Sequence, residues 1–235
     1  MPSKTSRADN RAQMETAIRR LGREHLSTHG AAGLSLRAIA RDLGVVSSAV
    51  YRYVPSRDDL LTMLLVEGYT DLADTVDAAV DGVPGDDPRG RIRACAVTLR
   101  AWAVADPARW ALLYGSPVPG YAAPPEQTEL PGTRVVARLL LELSRAHAAG
   151  ALADSAPTDA VTPLPPAVAA DLDAIRTEFG IDLPDTVFIG GMSLWSVMIG
   201  GTSLEVFGQY GNDTFVDPGT LFAAQIDRAL STLFG

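Results

Sequence analysis

"SLRAIARDLGVVSSAVYRYVPSRDDLL", residues 35–61, holds two short helix-forming stretches on either side of a glycine, with a proline that stops the second. Ser35 can cap the first stretch, along which Leu36, Ile39, Ala40 and Leu43 share one face before Gly44 ends it. Ser47 or Ser48 can open the second, with Val50 and Val54 turned inward. Pro55 closes it, because a residue preceding proline is pushed out of the helical region. Ser56 then caps a long helix expected to run to about Val80, with Asp58 and Asp59 in the first turn, where the helix dipole favours negative charge. Small Ala40 at the crossing, Gly44 in the tight turn and Val50 locking the pair make the layout of a helix-turn-helix. The outward face of its second helix carries Ser47, Ser48, Ala49, Tyr51, Arg52 and Tyr53, short donors and reaching aromatics suited to phosphates and base edges. The competing reading is a plain helical hairpin whose tyrosines only pack.

The charge balance of the 235-residue chain is −8, a poor sign for an approach to DNA when averaged over the whole. It is not evenly spread. Residues 1–57 carry ten lysines and arginines against four acids, a net +6, which leaves −14 for the remainder. Such asymmetry points to a nucleic-acid-binding end, and the acidic body need not face DNA at all. Lys4, Arg7 and Arg11 either add an arm along the groove or belong to a disordered tail.

Elsewhere the helical period dominates. Met14, Ala17, Ile18 and Leu21 define a first helix from about Arg11 to His29, followed by the breaker "HGAAG". Residues 86–115, "DDPRGRIRACAVTLRAWAVADPARWALLYG", form a helix broken at Asp106–Pro107 and then a shorter one. A Pro/Gly-rich turn follows, then a helix from about Glu129 to Ala149. "GALADSAPTDAVTPLPPA" is rich in Pro, Ala and acids and is expected to be a mobile loop. Two helices, about Pro184–Gly208 and Pro218–Leu233, close the chain. No alternating strand pattern or repeat stands out, so the fold class is all-α, with a hydrophobic content of 47% sufficient for a sizeable core.

One cysteine, Cys95, excludes an intramolecular disulfide framework. The histidines His25, His29 and His147 have no recognisable metal-ligand spacing, so neither metal nor cofactor is expected. "YGSPVPGY" lacks Gly-x-Ser-x-Gly and has no preceding strand, and the Gly190–Gly191 and Gly200–Gly201 pairs are no phosphate loop. Those glycines read instead as sites of close helix approach, either at a subunit interface or beside a ligand. With no apolar signal core and no run of about 18 apolar residues, a cytoplasmic location without a membrane is expected.

Residues 8–68, and "LSLRAIARDLGVVSSAVYRYVPSRDDLL" above all, resemble the N-terminal domain of the tetracycline-repressor (TetR) family of bacterial transcriptional regulators. "ADPARWALLYG" and "SLWSVMIGGTSLEVFG" resemble more loosely a C-terminal domain of that family. The resemblance implies a three-helix DNA-binding head over 8–55 and a helical effector-binding and dimerisation domain over 56–235. The implied partners are a double-stranded DNA operator, a small-molecule effector and a second copy of the chain.

Family members commonly have a tyrosine as at Tyr51, an aromatic or histidine as at Tyr53 and a lysine near the position of Arg57; Pro55 departs from a common lysine. The implied DNA set is Ser35, Arg37, Ser47, Ser48, Ala49, Tyr51, Arg52, Tyr53 and Arg57, with Tyr51, Tyr53 and Arg57 mostly on phosphates. Trp102, Trp110, Tyr114, Phe188, Met192 and Trp195 are the implied lining of an apolar effector pocket, with Arg100 or Arg109 as an anchor. Ile199, Ser203 and Val206, together with the stripe Phe222, Ile226, Ala229, Leu230 and Leu233, make the expected dimer interface, unless they cover the subunit's own core. The resulting reading is a repressor released from a palindromic operator by a largely apolar effector; the alternative is a helical interaction adaptor or enzyme that does not bind DNA.

Overall fold

A computed structural model describes residues 7–153, 164–211 and 213–235. Among the described residues there are ten α-helices and no strand. They are α1 (Arg7–His29), α2 (Leu36–Asp42), α3 (Ser47–Tyr51), α4 (Arg57–Asp81), α5 (Pro88–Ala105), α6 (Pro107–Tyr114), α7 (Pro125–Ala148), α8 (Pro166–Phe179), α9 (Asp185–Val206) and α10 (Pro218–Phe234); a 3-10 turn, Ala31–Gly33, lies between α1 and α2.

Ser35 and Ser56 cap α2 and α4 as the sequence leads one to expect. Ser56 accepts from Asp59 N at 3.1 Å and donates back to the Asp59 carboxylate at 2.6 Å, a reciprocal cap on α4. Asp106 and Asp217 cap α6 and α10, each followed by proline at the first helical position. One helix was not anticipated: α8, with Val168, Leu172, Ile175 and Phe179 along one stripe and no fully buried residue. The expected mobile loop falls largely on residues 154–163, and Lys4 on residues 1–6, all outside the described residues.

The chain divides into two compact units that do not follow the 8–55 and 56–235 split. The first joins Met1–Thr70 to Asp106–Gly132, the second Asp71–Ala105 to Thr133–Gly235. The physical reason lies in the first core. Ile18, Ile39, Val50, Leu60 and Leu61 are all at 0% exposure, and Ala108, Leu112 and Tyr121 pack on the same cluster. The start of α4 and the whole of α6 therefore belong with the three-helix head. Thr62 and Tyr121 share a hydrogen bond of 2.9 Å, Tyr69 donates to the Leu113 carbonyl at 3.2 Å, and Arg23 of α1 pairs with Glu67 of α4.

In the second unit a carboxylate gathers three helices. Glu142 of α7, 1% exposed, accepts from Arg91 of α5 at 2.7 and 3.1 Å, from Arg138 at 2.9 Å and from Arg145 at 2.8 Å. Arg138 also reaches Asp77 of α4 at 3.0 Å, and Arg134 bridges Asp74 and Asp77 at 2.8 Å each. Burial opposes the charge on Glu142, yet the hydrogen bond from Arg91 and the three guanidinium charges outweigh it and hold the carboxyl below its ordinary range.

A carboxyl depressed in the folded state contributes stability above its unfolded pKa of about 4.3, and that contribution is lost as pH falls through the folded value. Glu142→Gln is expected to cost about 3 kcal/mol at pH 7, since it leaves partly buried guanidinium groups without their counter-charge. It should also flatten the acid side of the stability curve. Thermal melts of both proteins between pH 3 and 7 check the two effects together.

Candidate nucleic-acid interface

The head presents α3 through a turn that only Gly44 suits. Val45 N donates to Ala40 O and Gly44 N to Arg41 O, each at 3.0 Å, closing α2 in a left-handed cap with Gly44 at φ 67°. Ser35 caps the other end of α2 by accepting from Ala38 N. Val50 and Val54, both at 0% exposure, anchor α3 and the turn after it to the core. The helix itself is shorter than expected, ending at Tyr51, with Arg52 and Tyr53 in the closing turn.

Most of the expected contact residues are at least partly accessible. Arg37, Ser48, Tyr51 and Arg52 are exposed; Ser47, Ala49 and Tyr53 are half-buried. The Arg11 guanidinium sits over the Tyr53 ring at 5.7 Å, and Asn10, Arg11, Arg52 and Tyr53 line a cleft of about 460 Å³. Arg11 is thus a residue of α1 stacked beside the recognition turn and not part of a tail. Two accessible residues lie outside the expected set: Asn10, which joins the cleft from 42 residues away from Arg52 in sequence, and Val46, which is apolar among polar neighbours.

Arg57 is elsewhere. Its Nη2 donates to the carbonyls of Ala31 and Ala32 at 2.9 and 3.2 Å, so it ties the start of α4 to the 3-10 turn. Ser35 likewise spends its hydroxyl on the α2 cap. His25 meets Asp42 at 2.7 Å and fastens α1 to the end of α2.

The expected effector set is divided between the two units. Trp110 and Tyr114 stack with ring centroids 4.4 Å apart in the first unit. Trp102, Phe188, Met192 and Trp195 belong to the second. Trp102 donates its indole N–H to Asp71 at 2.8 Å, and Phe188 is wholly buried beneath the Arg176 guanidinium at 5.5 Å. Met192 points outward, 36% exposed. Arg100 is already held by Glu205 in a two-pronged ion pair and has no open fork for a ligand.

The expected dimer stripe needs the same correction. Phe222, Ile226, Leu230 and Leu233 are buried inside their own chain, since α10 packs this face on α9 and α5. Gly190 and Gly201 admit that packing, a Cβ on them sitting 2.6 Å from Leu233 and 3.1 Å from Phe222, and Gly191 does the same toward α7, 2.7 Å from Leu143. Gly200 faces open space. Ile199, Ser203, Val206 and Ala229 are half-buried. Ala229 borders a shallow, mostly apolar groove of about 470 Å³ with Val197, Ala224, Gln225, Arg228 and Thr232.

Comparison with known proteins agrees with this geometry. Residues 18–64 match the family model of bacterial regulatory proteins of the tetR family, and residues 92–229 that of the tetracyclin repressor-like C-terminal domain. The HTH-type transcriptional regulator Rv1816 of Mycobacterium tuberculosis is 54% identical over 227 residues, 97% of this chain and 95% of its own; Mb1846 of Mycobacterium bovis matches to the same extent. Among solved structures, the regulatory protein SCO4313 is 34% identical with a TM-score of 0.74, covering 97% of this chain and 100% of that one.

Arg57→Ala separates a tie from a phosphate ligand. The substitution is expected to weaken binding to duplex DNA at every salt concentration while leaving the slope of log Kd against log[salt] unchanged. Loss of a phosphate contact would instead reduce that slope by about 0.9 per contact. Fluorescence-anisotropy titrations at four or five salt concentrations read the difference.

Proposed function

This chain belongs to the tetR family of bacterial regulatory proteins and is a DNA-binding transcriptional regulator, not an enzyme; from that premise we propose that it acts as a homodimeric repressor, released from a palindromic operator by a small, largely apolar effector. The observation that carries the proposal is the surface of α3. Ser48, Tyr51 and Arg52 stand exposed on a head of net positive charge, beside the cleft that Arg11 and Tyr53 share. A short helix held by its buried valines can enter the major groove while the cationic cleft takes a backbone phosphate. Two such heads related by a two-fold axis read two half-sites, so the operator repeats in palindromic form. A regulator of chromosomal DNA works in the bacterial cytoplasm.

The outward faces of α9 and α10 suit the second copy. α9 contains an 18-residue window of mean hydropathy 1.4, of which 33% is buried within the chain. A helix apolar on all sides needs cover on its remaining face. Ile189, Met192 and Leu204, each more than a third exposed, supply that face on α9, with Ala224 and Ala229 on α10. This assignment moves Met192 from the effector set to the interface. The effector is assigned to the second unit, near Trp102, Phe188 and Trp195. It acts only through its different affinity for DNA-competent and DNA-incompetent arrangements. α4 belongs to both units and is the natural lever.

Gel-shift with the DNA flanking its own gene tests the repressor reading: binding abolished by moderate salt and by a palindromic competitor is expected, and failure to bind any genomic fragment refutes it. Ala224→Glu changes a side chain exposed in the single chain and should yield helical monomers in sedimentation at micromolar concentration. For the effector, apolar metabolites titrated against operator-bound protein should quench tryptophan emission and release DNA at the same concentration.

A further inference from the structure

Val46 stands out in the head as a side chain on the wrong side of the hydrophobic divide. It follows Val45, which packs against the core, yet is itself 71% exposed. Among the described residues of α1 to α4, the large apolar or aromatic side chains exposed beyond a third are Val46 and Tyr51, at the two ends of α3. Val46 is also the N-cap of that helix, and it offers no side-chain hydrogen bond to the first turn. A serine, threonine or aspartate at this position would satisfy one of those orphan N–H groups and would be at ease in water. The position therefore breaks two local rules at once, on the surface that carries Ser47, Ser48 and Arg52.

We propose that Val46 is a specificity-determining residue, reading the C5-methyl group of a thymine in each operator half-site. The methyl is the apolar feature that the major groove displays, and it distinguishes T·A from the other pairs when an aliphatic side chain meets it. A residue at the N-terminal end of the recognition helix is placed to reach a base edge, whereas Tyr51, one turn further on, is better placed for the backbone. Contact with the methyl removes Val46 from water in the bound state alone, so the misfit in the free protein is relieved on binding. The proposal rests on α3 being the helix that enters the major groove.

The test uses the full-length protein and an operator duplex that it selects from random DNA, resynthesised with each thymine in turn replaced by uracil, which lacks only the methyl. Wild-type protein is expected to bind at least one uracil duplex about fourfold more weakly per half-site, the value of burying one methyl-sized group. Val46→Ser, whose hydroxyl can cap α3 and keep the head folded, should bind the parent operator more weakly and lose the distinction at that thymine alone. A wild-type protein indifferent to every uracil, or a Val46→Ser protein with the wild-type uracil profile, overturns the proposal. Ser48→Arg and Tyr51→Ala tell the two failures apart. If they alter binding while the uracil profile is flat, only the assignment of Val46 fails; if neither changes binding, α3 is not the reading helix.

Discussion

The burial of Val50 and Val54 is the constraint on which the head depends. A helix of five residues lies far below the length at which a helix sustains itself in water, so α3 exists because its Val50, and Val54 in the turn that follows, are wholly enclosed. The rest of the head serves that enclosure. Ile39 and Ala40 of α2 present the surface against which α3 packs, and the left-handed turn at Gly44 sets the angle between the two helices. Leu60, Leu61 and Leu64 of α4 complete the floor. The Arg57 bond to the Ala31 and Ala32 carbonyls then keeps the start of α4 in register with the turn that precedes α2. The exposed face of α3 is thereby fixed from behind, with its outward side chains left out of the core.

The second unit is held differently, by a buried charge and by small residues. Glu142 would be costly inside the protein without Arg91, Arg138 and Arg145, and satisfying it brings α5 and α7 together, while Arg138 reaches on to α4. Along α9 the glycines take over that role, since Gly190 and Gly191 let neighbouring leucine side chains come closer than a Cβ would permit, and Gly201 leaves room for Phe222 where a Cβ would be tight. The consequence is an asymmetric use of an apolar helix: one face is consumed by the chain's own core, and the other, with Ile189, Met192 and Gly200, stays open.

That asymmetry explains where reading the sequence succeeded and where it misassigned residues. Phe222, Ile226, Leu230 and Leu233 are an apolar stripe on any helical wheel, and the stripe is real. Nothing in its spacing says whether its cover comes from the same chain or from another copy, because both offer the same transfer out of water. Met192 illustrates the same ambiguity from the other side, and Trp110 and Trp102 share a composition but not a unit. The family resemblance, through a lysine common near the start of the fourth helix, implies a phosphate contact for Arg57. Its actual partners are two backbone carbonyls some 25 residues away in sequence, which no local pattern announces.

Local physics was sufficient for the elements. Caps at Ser35, Ser56, Asp106 and Asp217, the breaks at Gly44, Pro55 and Pro107, and the inward period of Leu36, Ile39, Val50 and Val54 depend on neighbours within a few residues, so the sequence by itself determined an all-helical chain with a helix-turn-helix and a basic head. The tertiary structure alone decided which apolar face is core and which is open, that α6 joins the head, that Arg11 stacks on Tyr53, and that Arg57 is a tie. The physical reason is that the periodicity of a helix specifies the direction of a side chain relative to its own axis, while the partner in that direction is supplied by distant parts of the chain through packing and long-range hydrogen bonds.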